Sequence, residues 1–235
     1  MSEFLTIGEP LVVFASTQLG RSIETSTNFN KTTGGAELNV ATGVALLGHQ
    51  SDYIGAVGND PHGRFIKLEL KKKGIVTDDL KVKADDMTGY QVKGKVTHGD
   101  PVVYNFRKNS AASHLDAEDL KDISLNDVKW LHISGIFLGL SSKTYDACRY
   151  LVEKARKCGI TISFDPNLRP DIWSSKQEMI DKINEFAHRA DIVLPGRSEG
   201  QVLTGSNRLS DIANHYLKSD VTKAVYVKDG AKGVY

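Results

Sequence analysis

The feature that most constrains this 235-residue chain is a repeated alternation in its second half. Compact apolar runs at 130–133, 160–164, 192–194 and 224–227 alternate with helical stretches such as 144–157 and 176–188. Strand-helix-strand order of this kind implies a parallel sheet with helices on its faces, so the expected fold class is α/β. In an open α/β sheet, ligands gather at the carboxyl ends of the strands, and candidate site residues are expected there.

The first half is less regular. Apolar β-prone runs at 4–7 and 11–14 are separated by Gly8-Glu9-Pro10, which suggests a bend. From 36 to 47 the apolar positions Leu38, Ala41, Ala45 and Leu46 approximate helical spacing, and Gly48 suits the stop. A strand is expected at 51–57 and a helix at 65–73, ending at Gly74. Runs at 90–96 and 102–107, joined by Thr97-His98-Gly99-Asp100-Pro101, read as a hairpin. Segments 11–33 and 87–108 fall outside the alternation and are expected to form a small β lid on one main domain, 1–235.

Composition excludes several classes of function. Thirty Lys and Arg residues against 29 Asp and Glu residues leave a formal charge of +1, so no global field draws the chain to nucleic acid or an anionic membrane. Lys71-Lys72-Lys73 reads as a solvated helix C-terminus set against its dipole. No run is long enough to span a bilayer, and the first residues lack a basic region before an apolar block. Cys148 and Cys158 lack metal-ligand spacing and are expected as reduced thiols, which suggests a cytoplasmic setting. There is no GxxxxGK[ST], no GxGxxG after the first strand, no HExxH and no GxSxG, and the seven His residues are scattered.

Five segments carry candidate chemistry. Gly34-Gly35 opens a helix where unpaired N–H groups and the missing Cβ atoms would admit a ligand's oxygens, although the same pair also serves as a turn device. Asp165-Pro166-Asn167-Leu168-Arg169 follows a strand directly; Arg169 could grip a carboxylate or phosphate in a fork, or the loop could be a surface turn. In the hairpin, alternation puts Val103, Asn105 and Arg107 on one face and Tyr104 and Phe106 on the other, so that one face could meet an anion or simply form the polar side of a ribbon. Finally, Leu194-Pro195-Gly196-Arg197-Ser198-Glu199 ends a strand, and the turn from Lys228 through Gly230 to Gly233 could pass close to a nucleotide.

Taken together, Gly34-Gly35-Ala36-Glu37-Leu38-Asn39-Val40-Ala41, Gly48 and Tyr53-Ile54-Gly55-Ala56-Val57-Gly58-Asn59-Asp60-Pro61-His62-Gly63 resemble the first signature of the PfkB (ribokinase) family of carbohydrate kinases. Phe164-Asp165-Pro166-Asn167-Leu168-Arg169 with Trp173, and Arg107-Lys108-Asn109-Ser110-Ala111-Ala112, are similar to loops of its 2-keto-3-deoxygluconate kinases. The resemblance implies a ribokinase-like three-layer αβα sandwich with a mostly parallel central sheet and a small β lid. It also implies transfer of the ATP γ-phosphoryl group to a sugar hydroxyl with Mg2+, and a homodimer through the lid.

By the same resemblance, Gly34, Gly35 and Asn39 would hold sugar hydroxyls and Tyr90 would line the sugar pocket. Asn105 stands where these kinases tend to have Tyr, and Arg107 and Arg169 would face the acid-sugar carboxylate or the phosphates. Asn167, Lys228, Gly230 and Gly233 would lie along the nucleotide. Glu199 matches the acidic end of the Asn-x-x-Glu motif associated with magnesium, Gly196 replacing its Asn. The second family signature, Asp-Thr-x-Gly-Ala-Gly-Asp, with its catalytic Asp, would follow Tyr235, so the expectation is that the chain as given does not turn over. The alternatives are a fructokinase or another neutral-sugar kinase, and a sugar- or nucleotide-binding protein without catalysis.

Overall fold

The computed structural model of the chain describes residues 2–235. Strand β1 (Phe4–Ile7) is buried throughout. Gly8-Glu9-Pro10 breaks it from β2 (Leu11–Ser16), as the missing N–H of proline requires. The Thr- and Asn-rich passage that follows contributes a strand, β3 (Phe29–Gly34), paired antiparallel with all of β2. Helix α1 (Ala36–Leu46) and strand β4 (Ser51–Gly58) fall where the apolar spacing places them.

Helix α2 (Pro61–Lys72) starts four residues before the expected position 65, because Asp60 caps it and Pro61 supplies a preset φ at its first position. Its basic end, Lys71 and Lys72, sits in the last turn. Strands β5 (Leu80–Lys83), β6 (Tyr90–Lys93) and β7 (Val103–Phe106) complete the first half, β6 and β7 pairing as the expected hairpin, though with shorter strands.

The second half follows the alternation: β8 (Trp130–Ser134), α3 (Gly135–Leu138), α4 (Ser142–Lys157), β9 (Thr161–Asp165), α5 (Lys176–Ala187), β10 (Ile192–Val193), α6 (Arg197–Thr204), α7 (Leu209–Leu217) and β11 (Ala224–Val225). Helix α4 opens on a reciprocal Ser141–Thr144 capping box and buries Tyr145, Cys148, Leu151, Val152 and Ala155, one stripe at helical spacing. Cys148 is buried and Cys158 exposed, and neither forms a disulfide.

The chain forms two compact units. One is Gly8–Leu115; the other joins the chain up to Ile7 with Asp116–Tyr235. The Gly8–Leu115 unit holds the parallel pair β4–β5 and a mixed four-stranded sheet in the order β3-β2-β6-β7, with Leu38, Tyr53, Val57, Ile66 and Leu70 in its core. In the other unit β11, β10, β9, β8 and β1 lie side by side, all parallel, with β9 buried along its middle.

His132, on β8, is buried; its Nδ1 lies 2.9 Å from the Ser163 hydroxyl oxygen, which also accepts from Trp130 Nε1 at 2.7 Å. Burial, and then the nearby charge of Lys228, push its pKa down to about 4. An unfolded imidazole takes up its proton near pH 6.5, so this group's contribution is complete above 6.5 and is lost as pH falls towards 4. Urea unfolding is expected to show about 3 kcal/mol of stability disappearing across that window in the native chain, and a flatter profile in His132→Asn.

Candidate active site

In the Gly8–Leu115 unit, three segments meet at one buried residue, Glu9. Gly35 has φ of 131° and precedes α1 without a side-chain cap, leaving first-turn N–H groups uncapped. A Cβ on Gly35 would stand 2.6 Å from the Glu9 carbonyl oxygen, and one on Gly89, just before Tyr90, 2.7 Å from Glu9 Oε1. Ser110 Oγ donates to Glu9 Oε1 at 2.6 Å, and the Arg107 guanidinium pairs with Glu9 Oε2. The Glu9 side chain is 1% exposed and that of Arg107 14%. Burial drives the Glu9 carboxyl above the usual range, opposed by Arg107 and the Ser110 hydroxyl.

Tyr90 is half-buried, stacked on Phe106 at 4.7 Å with the His62 ring edge-on at 5.5 Å. Asn39 and Asn105 are exposed, Asn105 opposite Gln91 in the β6–β7 ladder. The turn Gly58-Asn59-Asp60 has a mechanical reason: Asp60 accepts from Gly63 N, Thr88 N and Thr88 Oγ1 at 2.7, 2.7 and 2.9 Å. Partial burial raises its pKa, but the N–H groups of Thr88 and Gly63 outweigh that and hold the carboxyl low. The start of α2 is thereby tied to the segment leading into Tyr90.

In the other unit, Asp165 ends β9, and Lys228 Nζ lies 2.9 and 2.8 Å from its two carboxylate oxygens. Asn167 adopts φ of 38°, a left-handed conformation that amide side chains tolerate, and its N–H reaches Asp165 Oδ1 at 3.3 Å. Glu199 accepts the Leu168 N–H at 2.9 Å on one oxygen and the Gly196 N–H at 2.6 Å on the other. It therefore ties the loop after β9 to the start of α6. Arg169 is exposed, its guanidinium turned back to the Leu168 carbonyl at 2.7 Å.

Lys228 is fixed through its backbone, donating to Pro195 O and accepting from Arg197 N, both at 2.8 Å. Beyond it the chain turns back through Gly230 and Gly233, at φ of 56° and 100°, where a Cβ would meet nothing within 4 Å. This open turn beside a lysine suits a nucleotide's phosphate or base.

Of the residues singled out from the sequence, Gly34, Gly35, Asn39, Tyr90, Asn105 and Arg107 fall in one unit, and Asn167, Arg169, Glu199, Lys228, Gly230 and Gly233 in the other. The partnerships of Glu9, Ser110 and Asp60 were not read from the sequence. The signal for Glu9 was available: a carboxylate between two apolar runs, fixed by Gly and Pro, is poorly placed to reach water. Among the described residues no group of three or more His, Cys, Asp or Glu is arranged to hold a metal ion. Glu199 spends one acceptor position of each oxygen on an N–H and keeps the others, so it fits a magnesium ion only as an auxiliary partner, beside ligands from the nucleotide itself.

Removing this strut has a defined cost. Glu199→Ala leaves the Leu168 and Gly196 N–H groups without their acceptors and is expected to lower stability by about 1–3 kcal/mol, while Glu199→Gln, able to satisfy one of them, loses less. Denaturant titration of both variants measures the difference.

Comparison with known proteins decides the family. Residues 1–235 match the profile described as pfkB family carbohydrate kinase. The chain belongs to the PfkB family. A 2-dehydro-3-deoxygluconokinase of Bacillus subtilis is 40% identical over 232 residues, covering 98% of this chain and 71% of that protein. A PfkB protein from Polaromonas sp. JS666 superimposes with a TM-score of 0.95 at 38% identity, covering 100% of this chain and 79% of that one. An E. coli structure of a ribokinase II type, solved with ATP and Mg2+, gives a TM-score of 0.87 at 26% identity, with coverage of 100% and 77%. The PfkB chain therefore has the ribokinase-like α/β fold: parallel strands with helices, and a small mixed sheet. No described helix is long and apolar enough to cross a membrane.

Proposed function

We propose that the protein is an ATP-dependent kinase that transfers the γ-phosphoryl group to a hydroxyl of 2-keto-3-deoxygluconate. The observation that carries this reading is Arg107, a largely buried guanidinium set beside the segments of Gly35 and Tyr90 and already held in place by a carboxylate. A neutral sugar has no use for a buried cation there; an acid sugar offers it a carboxylate to share. The 40% identity to a 2-dehydro-3-deoxygluconokinase supports the same substrate.

In this reading Gly34, Gly35 and Asn39 bind sugar hydroxyls through backbone N–H groups and an amide, and Tyr90 supplies an apolar wall; Asn105, paired with Gln91, lies on the other face of the hairpin from the stacked Tyr90 and Phe106 and is not beside that wall. Lys228, Arg169, Asn167 and the Gly230–Gly233 turn bind ATP, lysine and arginine neutralising phosphate charge. Glu199 would be the auxiliary protein partner of a magnesium ion held with the nucleotide, which would offset phosphate charge there. Phosphoryl transfer relies on positioning and charge stabilisation, which these groups supply; the general base is assigned to none of them.

The reading includes a homodimer through the four-stranded sheet, whose β7 exposes Val103, Tyr104 and Phe106, and a reducing cytoplasm that keeps Cys148 and Cys158 as thiols. A monomer mass at working concentration contradicts the dimer. The role of Arg169 is tested with Arg169→Gln, an exposed change with little folding cost. About a tenfold drop in kcat/KM is expected from loss of one charge-assisted contact. Unchanged kinetics for both ATP and the acid sugar would remove Arg169 from the site.

A further inference from the structure

We infer that Glu9 is the positioning residue that aims Arg107, and that through it the Gly-Glu-Pro bend sets the preference for acid over neutral sugars. Glu9's role presupposes the acid-sugar reading above. Three facts about the molecule converge on it. First, Glu9 cannot relax: its neighbours Gly8 and Pro10 fix the bend, and the Gly8 N–H donates to Ile54 O at 3.0 Å. Second, Gly89 packs directly against its carboxylate, where a Cβ would stand 2.7 Å from Oε1, and Gly35 packs against its backbone carbonyl, so the residue is confined at both ends. Third, its two oxygens are divided between the Ser110 hydroxyl and the Arg107 guanidinium, both on the segment that follows β7.

The arrangement has a consequence for the arginine. A long, flexible side chain at the end of an exposed strand would otherwise sample many rotamers, and ordering it would count against substrate binding. Glu9 holds one side of the guanidinium in advance. Arg107 Nε is buried without a hydrogen-bond partner, so the fork retains a donor that the protein leaves unused. A planar five-donor fork can serve a protein carboxylate and a ligand carboxylate at once, which lysine could not do in the same geometry.

The test measures kcat and KM for 2-keto-3-deoxygluconate and for fructose in the native protein, Glu9→Gln, Arg107→Lys and the double variant. Glu9→Gln keeps the shape and the acceptor for Ser110 but removes the charge that anchors Arg107. The expected result is a rise of about tenfold in KM for the acid sugar, with kcat and the fructose KM changing much less, a difference of one factor of ten in binding. In the Arg107→Lys background the same change at Glu9 should have no further effect on the acid-to-neutral ratio, whereas a merely structural carboxylate would leave that ratio unchanged in the native background as well.

Should Glu9→Gln fail to fold, Ser110→Ala removes the other hold on Glu9 and is expected to raise the acid-sugar KM about threefold in the same selective way. If the native protein phosphorylates the acid sugar but these variants lose acid and neutral sugars in equal proportion, the Glu9 role is overturned and the substrate reading stands. If the native protein itself disregards the acid sugar, both fall.

Discussion

Arg107→Gln is expected to lower kcat/KM for 2-keto-3-deoxygluconate by a hundredfold or more while fructose kinetics stay within about threefold, corresponding to roughly 3 kcal/mol of transition-state binding. The reason lies in burial. The guanidinium is 14% exposed and its counterion 1%, so solvent can replace neither contact when the cation is removed. The same substitution strands Glu9 as a buried carboxylate facing an amide, and breaking a buried pair in this way costs about 3–5 kcal/mol of stability. Both losses are measurable together, by steady-state kinetics on two sugars and by thermal unfolding. Equal loss of activity on both sugars would mean that the variant reports folding alone.

Gly135→Ala should also damage the fold. Gly135 follows β8 directly and opens α3. A Cβ there would fall under 3.0 Å from the carbonyl oxygen of Pro166 and from Ile183 Cδ1. A side-chain tip can turn aside, but a backbone carbonyl moves only with its segment, and Pro166 leads into Asn167 and Arg169. A loss of about 3 kcal/mol is expected, lowering Tm by roughly 6–12 °C, with a rise in the KM for ATP as the loop shifts. Gly43→Ala on α1 is the natural contrast, since a Cβ there meets nothing within 4 Å. It should add about 0.5–1 kcal/mol through helix propensity.

Much of this architecture is written in the apolar pattern. The runs that became β8 and β9 are buried along the sheet interior, so Leu131, Ile133, Ile162 and Phe164 give a readable apolar signal, interrupted by the buried His132 and Ser163. Strand β3 carries none, because Asn30, Lys31 and Thr32 are exposed and only its ends are covered. It is held by the ladder to β2, and backbone pairing leaves no trace in composition. The start of α2 was missed for the opposite reason: Asp60 and Pro61 gave a clear N-terminal signal, but the apolar spacing that drew attention began only at Phe65.

The candidate site was legible as motifs and illegible as partnerships. Arg107 and Arg169 read alike as cations after strands, yet one is clamped by a buried carboxylate and the other lies open to solvent. Lys228 and Asp165, 63 positions apart, form an ion pair that no local pattern announces. Glu199 read as a magnesium ligand, and its carboxylate is occupied first by two backbone N–H groups. Contacts between distant segments depend on the fold, and single-sequence periodicity describes only what lies within one element.

The most direct test of the central claim is the rate of ADP formation by the protein as its gene encodes it, with ATP, Mg2+ and either 2-keto-3-deoxygluconate, fructose or ribose. The account predicts a kcat/KM for the acid sugar at least about a hundredfold above that for either neutral sugar, the advantage expected of a buried arginine. Efficient phosphorylation of fructose or ribose with little activity on the acid sugar would contradict it.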